Sequence, residues 1–280
     1  MTVREAIAWS RARLCENSSL REYAALDAEL LLRHALHMDK ASLLASPQRI
    51  LTNEEEAHFA AMIAERLRST PIQYITGEQE FYGLHFRVTP DVLIPRPETE
   101  LLVESVLSRL SPGCRIADVG TGSGAIAVAL ASKLPSAQIV AMDISAAALA
   151  LARENAEANG VAGRIRFVES DLLDAVADEK FDAIVSNPPY IVNSEIASLH
   201  PQVREHEPHT ALFAGESGFE IYERLIPQAA RSLKPGGLLA MELGAGQHNR
   251  LGEMLRDWNA VEFLADLQGI TRVVLARNSR

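Results

Sequence analysis

The chain has 280 residues, 48% of them hydrophobic, with 27 Lys+Arg against 37 Asp+Glu and only two cysteines. That length fits one large domain or a large one with a small one, and the hydrophobic share is enough to build a core, which argues against disorder. The net charge of −10 works against avid binding to a bare phosphate backbone, and Cys15 and Cys114, far apart and outside any Cys/His ligand spacing, argue against a disulfide framework or structural zinc.

The opening stretch Met1–Trp9 contains Arg4 and Glu5 and lacks the apolar core of an export signal. No run approaches the length of about eighteen apolar residues that a spanning helix needs. The expectation is a cytoplasmic protein with no membrane association.

The first seventy residues read as helices. Tyr23, Leu26 and Leu30 recur at helical spacing, as do Phe59, Ile63 and Leu67. Thr52-Asn-Glu-Glu55 is a capping box, in which the Thr52 hydroxyl reaches the Glu55 N–H and the Glu55 carboxylate reaches back. Residues 1–72 are therefore expected as a small helical domain, ended by Pro71. It is either a packing module or a substrate-recognition domain.

Residues 73–95 read as a hairpin linker, because Phe81-Tyr-Gly83-Leu-His-Phe86 alternates around a glycine. Pro95 and Pro97 hold Arg96 on a rigid loop, and Pro97 suits the first turn of a helix. From residue 96 to 280 the chain alternates strand and helix. Strands are expected at 115–119, 138–142, 164–169, 181–186, 238–243, 261–266 and 272–277. Helices are expected at 125–134 and 145–159. The pattern predicts an α/β fold with a mostly parallel sheet, whose ligand crevice lies at the carboxyl ends of the strands.

Gly120-Thr121-Gly122-Ser123-Gly124 falls between the first of those strands and its helix, where glycines allow a tight turn and close approach of a ligand. Gly120-x-Gly122-x-x-Ala125 satisfies the dinucleotide fingerprint, and Asp143, 23 residues after Gly120, stands where an acid grips ribose hydroxyls. A nucleoside cofactor follows, and its identity stays open at this point. Two features tilt the choice towards S-adenosylmethionine. Asp118, expected to face the crevice, would repel a pyrophosphate but suits a sulfonium. The nucleotide unit also begins more than a hundred residues into the chain, behind a helical segment.

Asn187-Pro188-Pro189-Tyr190 ends the fourth strand. An Asn-Pro step alone marks a loop start. At the carboxyl edge opposite a glycine loop it can do more. The Asn187 side-chain oxygen and the Pro188 carbonyl can accept both N–H groups of a planar –NH2, while the Tyr190 ring packs on the system that bears it. Such bonds aim the nitrogen lone pair and stabilise the positive charge that develops on it. His200, His206 and His209 sit near Glu205 and Glu207, but their spacing fits no metal-ligand pattern, so no metal is expected. No Walker loop, Gly-x-Ser-x-Gly elbow or nucleophilic-cysteine signature occurs.

On these residues the chain closely resembles the bacterial release factor glutamine methyltransferases (the PrmC/HemK family). The resemblance spans nearly the whole chain and includes Pro71-Ile-Gln-Tyr-Ile-Thr-Gly77, Glu80-Phe-Tyr-Gly83, Leu93-Ile-Pro-Arg-Pro-Glu-Thr-Glu100, the glycine loop, Asn187–Tyr190 and Glu205-His-Glu-Pro208. Asn-Pro-Pro-Tyr alone is shared with adenine-N6 and guanine-N2 nucleic-acid methyltransferases, the alternative reading, which the acidic balance opposes. A nicotinamide oxidoreductase or an inactive nucleotide-binding module leaves Asn187–Tyr190 without a role.

The resemblance implies a Rossmann-like class I methyltransferase fold with a seven-stranded sheet and a helical front domain. It implies methyl transfer from S-adenosylmethionine to the side-chain amide of the Gly-Gly-Gln glutamine in class-1 peptide chain release factors, with no direct nucleic-acid partner. Asp118, Gly120–Gly124, Asp143, Asp171, Leu172 and Asn187 would hold the cofactor. Asn187, Pro188, Pro189, Tyr190 and Arg96 would meet the substrate, with Asn187, Pro188 and Tyr190 catalytic. The resemblance implies an aromatic residue in many relatives where His206 stands, and a large aromatic in some where Leu172 stands.

Overall fold

A computed structural model describes residues 1–279. In chain order the helices and strands are α1 (Val3–Glu16), α2 (Ala24–Leu36), α3 (Lys40–Ala45), α4 (Asn53–Leu67), α5 (Ile72–Thr76), β1 (Glu78–Phe81), β2 (Leu84–Arg87), α6 (Thr99–Leu107), β3 (Arg115–Val119), α7 (Ala125–Lys133), β4 (Gln138–Asp143), α8 (Ala146–Ala158), β5 (Ile165–Glu169) and β6 (Phe181–Ser186). The rest are β7 (Ile191–Val192), α9 (Pro201–His206), α10 (His209–Leu212), β8 (Phe213–Gly215), α11 (Glu220–Ser232), β9 (Leu233–Glu242), α12 (His248–Met254), β10 (Asn259–Ala265) and β11 (Thr271–Arg277). They form two compact units, Met1–Gly77 with Ser198–His206, and Glu78–Ala197 with Glu207–Arg280.

The first unit is helical. The Thr52 box caps α4 in both directions, with Glu55 N–H to Thr52 Oγ1 at 3.2 Å and Thr52 N–H to Glu55 Oε2 at 2.9 Å. The core takes Phe59 and Ile63 from α4, and from α2 the Ala24, Ala28, Leu31 and Ala35 face. Tyr23 and Leu26 are instead 47% and 55% exposed, so the stripe expected from their spacing is the outward one. Alanines on the inner face let the helices approach closely. Asp27, on that same face, accepts from Arg66 Nε at 2.7 Å, and both side chains are buried. Such a pair holds its geometry because losing either partner strands a buried charge. Pro71 does not end the bundle. With φ −53° and ψ 139° it starts α5, and the unit closes at Gly77.

The hairpin belongs to the second unit rather than serving as a linker. Tyr82 and Gly83 both have positive φ, the signature of a two-residue type I′ turn, and Phe81 and Phe86 are buried in the main core. The sheet runs β10-β11-β9-β6-β3-β4-β5, with β9-β6-β3-β4-β5 parallel and β10 and β11 antiparallel. It is the expected α/β architecture of seven strands. Alternation along β3 sends Ile116 to the face covered by α6, α7 and α8, and Ala117 and Val119 to the face covered by α11 and α12. From β3 the chain steps to β4 on one side, and β6 lies on the other. The crevice this reversal opens lies at the carboxyl ends of these strands.

Candidate active site

The loops after β3, β4, β5 and β6 meet around a cleft of about 380 Å³. Gly120, Thr121, Gly122 and Ser123 line it from β3, Asp143 and Ile144 from β4, Ser170, Asp171 and Leu172 from β5, and Asn187 and Pro189 from β6. Arg96, Thr99, Phe81, Pro208 and Phe213 complete the wall.

Gly120 and Gly122 have φ of +72° and +54° with open space where a Cβ would stand, so glycine answers the backbone turn and leaves the cleft free. Three N–H groups of the loop are taken up by the protein itself. Gly120 and Thr121 both donate to the Met142 carbonyl at 2.8 Å, and Gly122 donates to Asp143 Oδ2 at 2.8 Å. A loop whose donors are already engaged makes a poor cradle for pyrophosphate, which needs them. Asp143 does two jobs at once. Its Oδ2 anchors the glycine loop and its Oδ1 accepts from Ser145 N–H at 3.0 Å, beside the Ser145 cap of α8, while its carboxylate borders the cleft.

Four expected site residues lie off the cleft wall. Asp118 does not face the crevice. It shares the Ile116 side of β3, is fully buried, and accepts from Thr121 Oγ1 at 2.6 Å and from Ala127 N–H of α7 at 3.2 Å. Its Oδ1 has no hydrogen-bond partner, and burial pushes its carboxyl up to about 7. Gly124 is a packing glycine, because a Cβ there would lie 3.0 Å from Ala152 Cβ of α8. Pro188 is buried. Tyr190 supports the loop from below rather than offering its ring to the cleft. Its hydroxyl lies 3.4 Å from Glu242 Oε1, and its carbonyl accepts from Gln247 Nε2 at 3.1 Å. Its ring sits so close that a Cβ on Gly244 would come within 3.0 Å of it. Burial and the neighbouring Glu242 push the Tyr190 phenol above its ordinary range.

Asn187 lies where expected, with Nδ2 donating to Thr99 Oγ1 at 3.1 Å. Arg96 also borders the cleft, and its guanidinium pairs with the carboxylate of buried Glu207. The Arg224 guanidinium bonds Asp171 Oδ2 at 2.6 Å on the opposite wall. Leu172 stands at φ +52°, a strained position for a branched side chain and one found at ligand sites. His200 and His206 do not approach the cleft. Their rings bond the carbonyls of Ser19 and Arg68 in the first unit. Thr99, Glu242 and Gln247 escaped the sequence reading. The one local signal was an acid at the end of the apolar run Leu238–Leu243.

Residues 97–202 match the model of the methyltransferase small domain, and residues 5–77 match that of the PrmC N-terminal domain. A release factor glutamine methyltransferase of Geobacter sulfurreducens is 44% identical over 278 residues, 99% of this chain and 96% of that one. The Koribacter versatilis protein of the same name is 47% identical over 255 residues, 90% of each chain. The chain belongs to the release factor glutamine methyltransferase family. Among solved structures, a Pyrococcus furiosus methyltransferase is 19% identical with a TM-score of 0.54, covering 82% of this chain and 100% of that one. A T. thermophilus 16S rRNA N2 methyltransferase, in complex with AdoMet and guanosine, is 22% identical with a TM-score of 0.53, covering 72% of this chain and 49% of that one. These two likenesses concern the fold alone. Among the described residues no helix is long and apolar enough to cross a membrane.

Proposed function

We propose that this protein transfers a methyl group from S-adenosylmethionine to the side-chain amide nitrogen of the glutamine in the Gly-Gly-Gln motif of class-1 peptide chain release factors. The observation that carries the reading is similarity through both units. The relatives that bear this name match the helical first unit as well as the fold that they share with other methyltransferases.

The cleft fits the cofactor. Its glycine loop offers no free row of donors for a pyrophosphate, and Asp143 borders it as an acceptor for ribose hydroxyls. When bound, S-adenosylmethionine supplies an electrophilic methyl on a sulfonium. Gly120–Ser123 would hold its methionine part, and Asp171 and Leu172 would flank its adenine. Asn187 Oδ1 and the Pro188 carbonyl would accept the two N–H groups of the glutamine amide, and Arg96 and Pro189 would border the peptide that carries it. An amide nitrogen is a poor nucleophile because its lone pair is delocalised. A site built on acceptors answers this by orienting the nitrogen and stabilising the charge that develops on it, with no strong base. A cytoplasmic setting, with no direct contact to nucleic acid or membrane, belongs to the same reading.

Methyl-tritiated S-adenosylmethionine separates this reading from the nucleic-acid alternative. The label is expected on a release factor and absent from DNA and RNA offered at equal concentration. Label on nucleic acid, with the release factor left unlabelled, overturns the assignment.

A further inference from the structure

We propose that Thr99 and Glu242 are positioning residues that hold the Asn187 amide with its oxygen, not its nitrogen, turned to the cleft. Glu242 closes β9, beside the Ser186↔Met241 pairing that brings this strand next to β6, and Asn187 follows Ser186 directly. Thr99, the first residue of α6, lies between them. Its hydroxyl donates to Glu242 Oε2 at 2.6 Å, and its oxygen stands 3.1 Å from Asn187 Nδ2. Thr99 and Glu242 are 4% and 2% exposed, so bulk water does not compete for these bonds.

The direction of the chain follows from a count of protons. A threonine hydroxyl has one, and both Glu242 oxygens accept, Oε2 from Thr99 and Oε1 from Tyr190. Burial pushes the Glu242 carboxyl up to about 7, so the count is that of the carboxylate formed above this pH. With that proton committed to Glu242, the Thr99 oxygen can act towards Asn187 only as an acceptor. Of the two ends of the Asn187 amide only the –NH2 can donate. The reverse orientation would set the Asn187 oxygen against the Thr99 lone pairs. The acceptor that an incoming N–H needs is thereby turned outward before any substrate arrives. An acceptor oxygen on a residue 143 positions from Thr99 in the chain thus selects the polarity of the site.

The inference rests on the methyl-transfer reading, since an outward oxygen matters only if the acceptor of the methyl group brings N–H groups. Four variants test it. Thr99→Val keeps the shape and removes the hydroxyl. Glu242→Met removes the acceptor with little change of volume, an exchange that buried ion sites often tolerate. Thr99→Ser restores the hydroxyl, and Asn187→Ala is the reference for loss of the amide. The readouts are kcat, the KM for release factor, cofactor affinity by calorimetry, and the Asn187 side-chain –NH2 resonances of the cofactor-free protein.

Thr99→Val and Glu242→Met are expected to lower kcat about tenfold or more, with cofactor affinity within about twofold, and Thr99→Ser to recover most of the loss. The Asn187 –NH2 protons should exchange with solvent faster in Thr99→Val than in wild type or Thr99→Ser. This spectrum needs no turnover and reports on any variant that folds. Wild-type kcat and unchanged exchange in Thr99→Val, with Asn187→Ala inactive, overturn the positioning role and leave methyl transfer standing. Normal turnover in Asn187→Ala overturns the acceptor role of Asn187 and the positioning role with it, and leaves methyl transfer standing.

Discussion

Asn187→Ala is expected to lower kcat about 10²-fold or more while cofactor affinity changes by less than about threefold. The asymmetry follows from where the side chain stands. Asn187 borders the cleft and bonds Thr99 Oγ1, whereas the glycine loop is anchored separately, by Met142 and Asp143. Removing the amide therefore leaves the loop geometry in place and deletes the cleft-side acceptor proposed for the glutamine amide. Uniform binding would be lost as a raised KM, whereas a bond that strengthens as positive charge develops on nitrogen is lost as kcat. Single-turnover kinetics at saturating substrate, with cofactor affinity measured separately, check this. A variant that loses cofactor affinity and keeps kcat would move Asn187 from the reacting nitrogen to the cofactor.

Asp118 provides the second large effect, on stability rather than turnover. Its carboxyl is pushed up to about 7 by burial, against about 4 in an unfolded chain. Between these values the folded protein keeps a proton that the unfolded chain has released, so this contribution to stability is full below about pH 4. It falls as pH rises towards 7 and is gone above it. The slope is about 1.4 kcal/mol per pH unit, or about 4 kcal/mol across the window. Asp118→Asn keeps an acceptor for Thr121 and Ala127 and places a neutral –NH2 at the unpartnered Oδ1 position. The stability of Asp118→Asn relative to wild type, from denaturant unfolding, is expected to climb from pH 4 to 7 and then level off. A difference that stays flat over this range would mean that Asp118 is ionised throughout.

These two residues also mark how far the sequence can be read. Strands β3, β4 and β6 are short apolar runs between turn residues, and their predicted spans lie within a residue of the observed ones, because a buried parallel strand has no polar face to blur it. Asn187 was legible for a local reason, two prolines at a strand end. Asp118 was misdirected although its period was visible. It is two residues from Ile116, so it had to share the face of Ile116 under α7 rather than join the loop that follows. At the start of α2 the spacing of Tyr23, its N-cap, and Leu26 is genuine, but it marks the exposed side, since alanines packed the other. Tyr190 looked like a stacking surface because an aromatic ring beside a ligand loop invites that role. The carboxylate of Glu242 and the amide of Gln247 that hold it come from more than fifty residues away. Thr99 and Glu242 are further apart still, and no pattern of period two or 3.6 links residues across such a gap.

The most direct test of the account is to find which atom of the release factor receives the methyl group. After incubation of the protein with S-adenosylmethionine and a class-1 release factor, fragmentation mass spectrometry of the peptide carrying Gly-Gly-Gln should place one added methyl on the glutamine side chain. A release factor with alanine in place of that glutamine should receive none. A methyl group on any other residue, or undiminished transfer to the alanine variant, contradicts the account.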